Sequence, residues 1–249
     1  MDAAPEITIV ADPAAIAEET AREILEAATT AVAASGRFTI ALAGGFTPRE
    51  TYERLTLAPY VDRMPWERTW AFFGDERVVP PDHPESNYRM AAASLLSKVA
   101  IPAEQVFRIQ GEHPDPDVAA AEYARRMVEV FGTRRGEVPR FDLVLLGLGV
   151  DGHTASLFPG SLALKEVFRT VVAVHAAAAA IPTRITLTFP VLSAAARLVF
   201  LISGAEKAKI VKAALVDGAL LPATMARPAD GRLRFILDRA AAALLPGRS

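Results

Sequence analysis

A histidine set among glycines is the most informative feature of this 249-residue chain. It sits in Gly147-Leu148-Gly149-Val150-Asp151-Gly152-His153-Thr154-Ala155-Ser156-Leu157-Phe158-Pro159-Gly160, directly after the apolar run Leu143-Val144-Leu145-Leu146. Such a loop is poorly placed to be core filling. Free imidazole titrates at about pH 6.5, so His153 is suited to accept and return a proton near neutrality. Asp151, two residues earlier, either orients the imidazole or only stabilises the turn, and the residue pattern leaves both open. His83, His113 and His175 lie in proline-rich or unpatterned surroundings and read as surface residues.

Three other segments carry residue types that hold anions. In Ala43-Gly44-Gly45-Phe46-Thr47-Pro48-Arg49-Glu50 the glycines permit a tight turn with exposed amides. Thr47 and Glu50 have capping-box spacing. That is either a well-capped helix or a phosphate seat at Gly44, Gly45 and Thr47, where free amides meet the positive end of a helix. Gly74-Asp75-Glu76-Arg77 places three charges after an apolar strand, as a solvated edge or as the lining of a cleft. Ser86 reads as a helix N-cap, and Asn87 follows it as a candidate ligand contact. Arg184 and Lys207 complete the set. Each alone is an ordinary solvated charge, but a lysine on the first turn of a helix opposes the helix dipole, a conflict that a bound anion removes.

The elements that must position these residues alternate. Ile7–Val10 reads as a strand, Asp12-Pro13 opens a helix that ends near Gly36, and Phe38–Ala43 and Thr69–Phe73 are further strands. A helix is expected near Ser86 and another over Ala119–Val130, with 132–139 as a surface loop. Leu143–Leu146 has the continuous apolar character of a strand in mid-sheet. Arg184–Phe189 and Leu198–Ser203 are two more strand candidates, the second followed by an amphipathic helix from Ala205 to Val216. The fold class is therefore α/β, a Rossmann-like doubly wound, mostly parallel sheet with helices on both faces. One domain over 1–249 is expected. In such sheets ligands bind beyond the carboxyl ends of the strands, which is where every candidate above falls.

Composition narrows the function classes. Hydrophobic residues make up 51% of the chain, enough for one large core. A net charge of −2 argues against a non-specific nucleic-acid binder. No cysteine is present, so disulfides, thiolate nucleophiles and thiolate metal sites are excluded. The longest apolar stretch, near Ala176–Ile181, is too short to span a bilayer. Neither terminus has the pattern of a secretory signal or a lipid anchor, so a cytoplasmic location without membrane contact is expected. A metal site is not expected around a single histidine. Gly147-x-Gly149-x-x-Gly152 matches a dinucleotide fingerprint in spacing, but it runs into Phe158-Pro159-Gly160 rather than a helix, and no cofactor is expected.

Taken together, Gly44-Gly45-x-Thr47-Pro48, Phe73-Gly74-Asp75-Glu76-Arg77-x-Val79-Pro80 with Ser86-Asn87, the Gly147–Gly160 loop, Arg184-Ile185-Thr186-Leu187-Thr188 and Gly204-Ala205-Glu206-Lys207 resemble the 6-phosphogluconolactonases. The blocks span most of the chain in that family's order, with Phe235 where a tryptophan is expected. The resemblance implies hydrolysis of a sugar-phosphate lactone without metal or cofactor. His153 would be the base, with Asp75, Arg77 and Asp151 around it, Asn87 in substrate binding, and Gly44, Gly45, Thr47, Arg184 and Lys207 on the phosphate. The runner-up is the related aminosugar-phosphate isomerase-deaminases, in which a carboxylate follows the loop histidine by five positions; here that residue is Phe158. A sugar-phosphate sensor without catalysis is the non-enzyme alternative.

Overall fold

The computed structural model describes residues 5–134, 136–177 and 179–247. The expectation of no leader or lipid anchor rests partly on Met1–Ala4, Arg248 and Ser249, which lie outside the described residues, as do Arg135 of the 132–139 loop and Ala178 of the alanine run. Among the described residues no helix is long and apolar enough to cross a membrane.

Among the described residues nine strands form two sheets. The strands are β1 (Glu6–Val10), β2 (Phe38–Leu42), β3 (Thr69–Phe73), β4 (Asp75–Arg77), β5 (Leu143–Leu146), β6 (Val171–His175), β7 (Thr183–Leu187), β8 (Arg197–Ile202) and β9 (Arg232–Asp238). The larger sheet is wholly parallel in the order β1-β9-β8-β5-β2-β3. Its flanking helices include α1 (Pro13–Ser35), α2 (Phe46–Leu55), α3 (Tyr60–Arg63), α4 (Asn87–Ala91), α5 (Pro116–Phe131), α6 (Phe189–Ala194), α7 (Ala208–Leu215) and α8 (Pro222–Met225). All four residues of β5 are buried, as a strand covered on both faces requires.

The winding reverses between β2 and β5. From β2 the chain moves outward to β3, and from β5 it moves the other way to β8 and β9. A crevice opens at such a switch point. The Gly44-Gly45 turn leaves β2 and the His153 loop leaves β5, so both border it. Two buried tyrosines fix the strand ends there: the Tyr52 hydroxyl bonds the amide and carbonyl of Ala43, and Tyr123 does the same for Phe73. Burial pushes both phenols well above their ordinary range, so they stay neutral donors.

Two expectations are corrected. The Arg184–Phe189 strand is Thr183–Leu187, and it lies in a second, antiparallel sheet ordered β4-β7-β6. Its alternating polar and apolar residues suit an antiparallel strand better than a doubly covered parallel one. Thr47 and Glu50 form no capping box. Helix α2 begins at Phe46 with Gly45 as its N-cap and no side-chain cap, and Glu50 Oε2 is buried without a partner. Asp12 and Ser86, in contrast, cap α1 and α4 as expected.

On α1, Glu23 accepts from Arg197 of β8 at 2.7 Å and from Arg234 of β9 at 2.6 Å, and Glu19 also pairs with Arg234. Burial alone would raise both carboxyls, but the arginine hydrogen bonds outweigh it and hold them below the usual range. A depressed folded pKa contributes stability above the unfolded value, about 4.3, and that stability is lost as pH falls through the folded value. Glu23→Gln is expected to lose about 3 kcal/mol at neutral pH. Thermal midpoints measured from pH 6 down to about pH 3 should then decline less steeply for the variant than for the native chain.

Candidate active site

The crevice is a cleft of about 450 Å³ lined by the ends of β2, β5 and β8, by β4 and by Arg184 of β7. Nine of the ten candidate residues line it directly: Gly44, Gly45, Thr47, Asp75, Arg77, Asn87, His153, Arg184 and Lys207. The tenth, Asp151, reaches it through His153. None of His83, His113 or His175 borders the cleft; His83 and His113 are half-buried, with ring nitrogens bonded to nearby backbone, and His175 is exposed.

One ring nitrogen of His153 is hydrogen-bonded. Its Nδ1 lies 2.6 Å from Asp151 Oδ1, and its amide donates to the same oxygen at 3.1 Å. Burial would raise the Asp151 carboxyl, but these bonds and the charge of a protonated ring pull it below its ordinary value. Asp151 thus bonds both the imidazole and the backbone of the turn, and the second ring nitrogen, Nε2, has no hydrogen-bond partner among the described residues. Gly149 is required for this approach, because a Cβ there would lie 2.1 Å from His153 Nδ1. The face of the ring packs on Phe158, with centroids 4.6 Å apart.

Cations gather elsewhere in the same cleft. Arg77 and Arg184 are directly opposed across β4 and β7. Like charges so placed repel. Burial, and then the charge of Arg77, hold the Arg184 guanidinium below its ordinary pKa. Arg184 Nε donates to the Ile181 carbonyl, whereas Arg77 turns to Glu85 and keeps a buried, unpartnered Nε. Lys207 ends a 3-10 turn and forms the N-cap of α7, where the dipole opposes its charge. In the same cleft, the first turn of α2 has no side-chain cap and presents amides with no helical acceptor.

The polar frame of the cleft was only partly legible. Glu76 was one charge among three, yet it is buried and accepts from the amides of Arg77, Asn87 and Tyr88 and from the Ser86 hydroxyl, fixing the 85–88 loop. Burial pushes its carboxyl up, against the lowering effect of those amides. Asp75 does not hold Arg77; its oxygens accept from Ser156 at 2.6 Å and Asn87 at 3.1 Å. Asp238 accepts from Ser203 and Gly204 and shapes the turn that leads to Lys207. Among the described residues no three His, Asp or Glu side chains form a group that could hold a metal ion. The Gly147–Gly152 loop continues into turns rather than a helix, unlike a dinucleotide-binding turn.

The family model described as glucosamine-6-phosphate isomerases/6-phosphogluconolactonase matches residues 11–235. This chain belongs to that family. Among curated relatives, the 6-phosphogluconolactonase of Nostoc sp. is 38% identical over 242 residues, covering 96% of this chain and 98% of its own. That of Rattus norvegicus is also 38% identical, covering 96% and 93%. Of solved structures, the 6-phosphogluconolactonase from Trypanosoma brucei superposes with a TM-score of 0.84 at 34% identity, over 97% of this chain and 98% of that one. A monomeric glucosamine-6-phosphate deaminase reaches a TM-score of 0.78 at 20% identity, which speaks for the fold the two branches share. At the position where the resemblance to the deaminases implies a carboxylate, this chain has Phe158, whose ring packs on His153.

Proposed function

We propose that this enzyme hydrolyses 6-phospho-D-glucono-1,5-lactone to 6-phosphogluconate, the lactone-opening step of the oxidative pentose phosphate pathway, with His153 as general base. The observation that carries the reading is a single cleft holding both a carboxylate-oriented imidazole and a cluster of cations beside free helix amides.

The carboxylate of Asp151 holds the proton on Nδ1, leaving Nε2 as the acceptor. Nε2 takes a proton from water as the water oxygen bonds to C1, and the carbonyl electrons move onto its oxygen. That oxyanion is stabilised by Arg77 or by a backbone amide of the glycine loops. As the C1 carbonyl re-forms, the bond to the ring oxygen breaks and the imidazolium returns its proton to that oxygen. Gly44, Gly45, Thr47, Arg184 and Lys207 hold the phosphate. Its binding energy, remote from the bond broken, aligns C1 with His153. Asp75 accepts from a sugar hydroxyl on the lone pairs that Ser156 and Asn87 leave open. Asn87 contributes to substrate binding chiefly through Asp75, since its amide nitrogen is already directed there.

Decay of freshly generated 6-phosphogluconolactone, followed with and without the chain and corrected for spontaneous hydrolysis, tests the activity. Acceleration is expected. No acceleration, together with ammonia release from glucosamine 6-phosphate, would overturn the reading in favour of the deaminase chemistry. Thr47→Val, which removes a hydroxyl without a protein partner, is expected to raise KM about 3- to 10-fold and leave kcat within about twofold. Steady-state kinetics check this; a loss confined to kcat would show that the phosphate sits elsewhere.

A further inference from the structure

We infer that Ser156 is a positioning residue for the lactonase reaction, the hydroxyl through which the loop carrying His153 is fastened to Asp75. The inference rests on the roles of His153 and Asp75 proposed above. Ser156 lies three residues beyond His153 and is completely buried. Its Oγ donates to Asp75 Oδ2 at 2.6 Å, and its amide donates to Thr186 Oγ1 at 3.2 Å. Asp75 and Thr186 are direct partners across β4 and β7, so one serine ties the His153 loop to two of the three strands of the small sheet.

The same carboxylate gathers the other walls of the cleft. Asn87 Nδ2 donates to the Asp75 carbonyl at 2.9 Å and to Oδ1 at 3.1 Å. On its other side Asn87 Oδ1 occupies the space of a Cβ on Gly44, 1.9 Å from that position, so the turn after β2 closes directly against it. Asp75 is thus where the phosphate-seat turn, β4 and the histidine loop meet. Both carboxylate oxygens are fixed by neutral donors, which aim the remaining lone pairs without neutralising the charge.

The backbone between His153 and Ser156 needs such a fastening. Ala155 has φ 47°, in the left-handed region that non-glycine residues adopt only when their surroundings hold them there. Thr154 fixes one side of this turn by donating to the Gly147 carbonyl at 2.9 Å, and Ser156 fixes the other. Without the serine hydroxyl the turn can relax, and the imidazole shifts relative to a substrate still anchored by its phosphate. Proton transfer demands hydrogen-bond contact, so a small displacement lowers the chemical step while binding persists.

Ser156→Ala and Ser156→Cys, the second keeping the buried volume with a much weaker donor, separate this role from simple core satisfaction. Three readouts are taken on each variant: kcat and KM for the lactone, the thermal midpoint, and the midpoint shift produced by inorganic phosphate. The expected result is a kcat lowered about tenfold or more in both variants, with KM within about threefold and the phosphate shift retained. Unchanged kcat would overturn the inference while leaving the lactonase reading intact. So would a parallel loss of kcat, phosphate response and thermal midpoint in both variants, which marks a purely structural serine. A native chain without turnover would overturn the lactonase reading and this inference with it.

Discussion

His153→Ala is expected to lower kcat for lactone hydrolysis by about 10²- to 10⁴-fold, the usual contribution of a positioned general base, while KM changes by less than about threefold. The asymmetry follows from the geometry. The imidazole is bonded to Asp151 through Nδ1, and among the described residues no hydrogen bond joins it to the cations or amides assigned to the phosphate. Removing it takes away proton transfer and leaves the anion seat whole. Asp151→Asn should fall between, with a kcat loss of about tenfold or more, because an amide keeps the turn but no longer selects the tautomer with Nε2 free. The lactone decays spontaneously, so both variants are compared with buffer alone at high enzyme concentration. Near-background decay with intact phosphate binding would identify His153 as the base and dismiss the sensor reading. A His153→Ala variant with near-native kcat would keep the reaction and remove His153 from its centre.

The parts of this site legible in the sequence were those written in consecutive residues. Glycines flanking His153 after an apolar run located the loop, and Gly44-Gly45 located a turn with open amides. Asp12-Pro13 and Ser86 marked helix starts because capping is a local interaction. What stayed hidden depends on residues distant in the chain. The small sheet exists only because β4, three residues long, meets β7 more than 100 residues later. No local pattern reports that pairing. The same holds for Ser156: its spacing from His153 is visible, but its bond to Asp75 spans 81 positions. Thr47 and Glu50 show the opposite failure. Their spacing satisfied a local rule, yet α2 starts two residues earlier than a Thr47 cap requires, with Gly45 as its N-cap and no side chain capping its first turn. Local consistency is commonly broken where a protein keeps polar groups available for a ligand.

Arg184→Met is expected to give opposite signs for activity and stability. Charge-assisted hydrogen bonds to a phosphate contribute about 1.5–3 kcal/mol, so KM should rise about 10- to 150-fold. The unliganded protein should instead become more stable, by about 1 kcal/mol or a few degrees in thermal midpoint. The reason lies in what Arg184 endures without an anion: it is partly buried, directly opposite Arg77, and bonded to one backbone carbonyl, with its pKa held down by burial and by that neighbour. Methionine fills similar space without a charge to desolvate. In the native chain a phosphate dianion would relieve the repulsion, so inorganic phosphate should raise the native midpoint by mass action and raise that of the variant far less. Thermal unfolding with and without phosphate, beside steady-state kinetics, reads both signs. A variant that loses stability and keeps its KM would show Arg184 to be a structural brace for the Ile181 carbonyl. The expected pattern would mean that this arrangement of like charges is maintained for the substrate at the expense of the free fold.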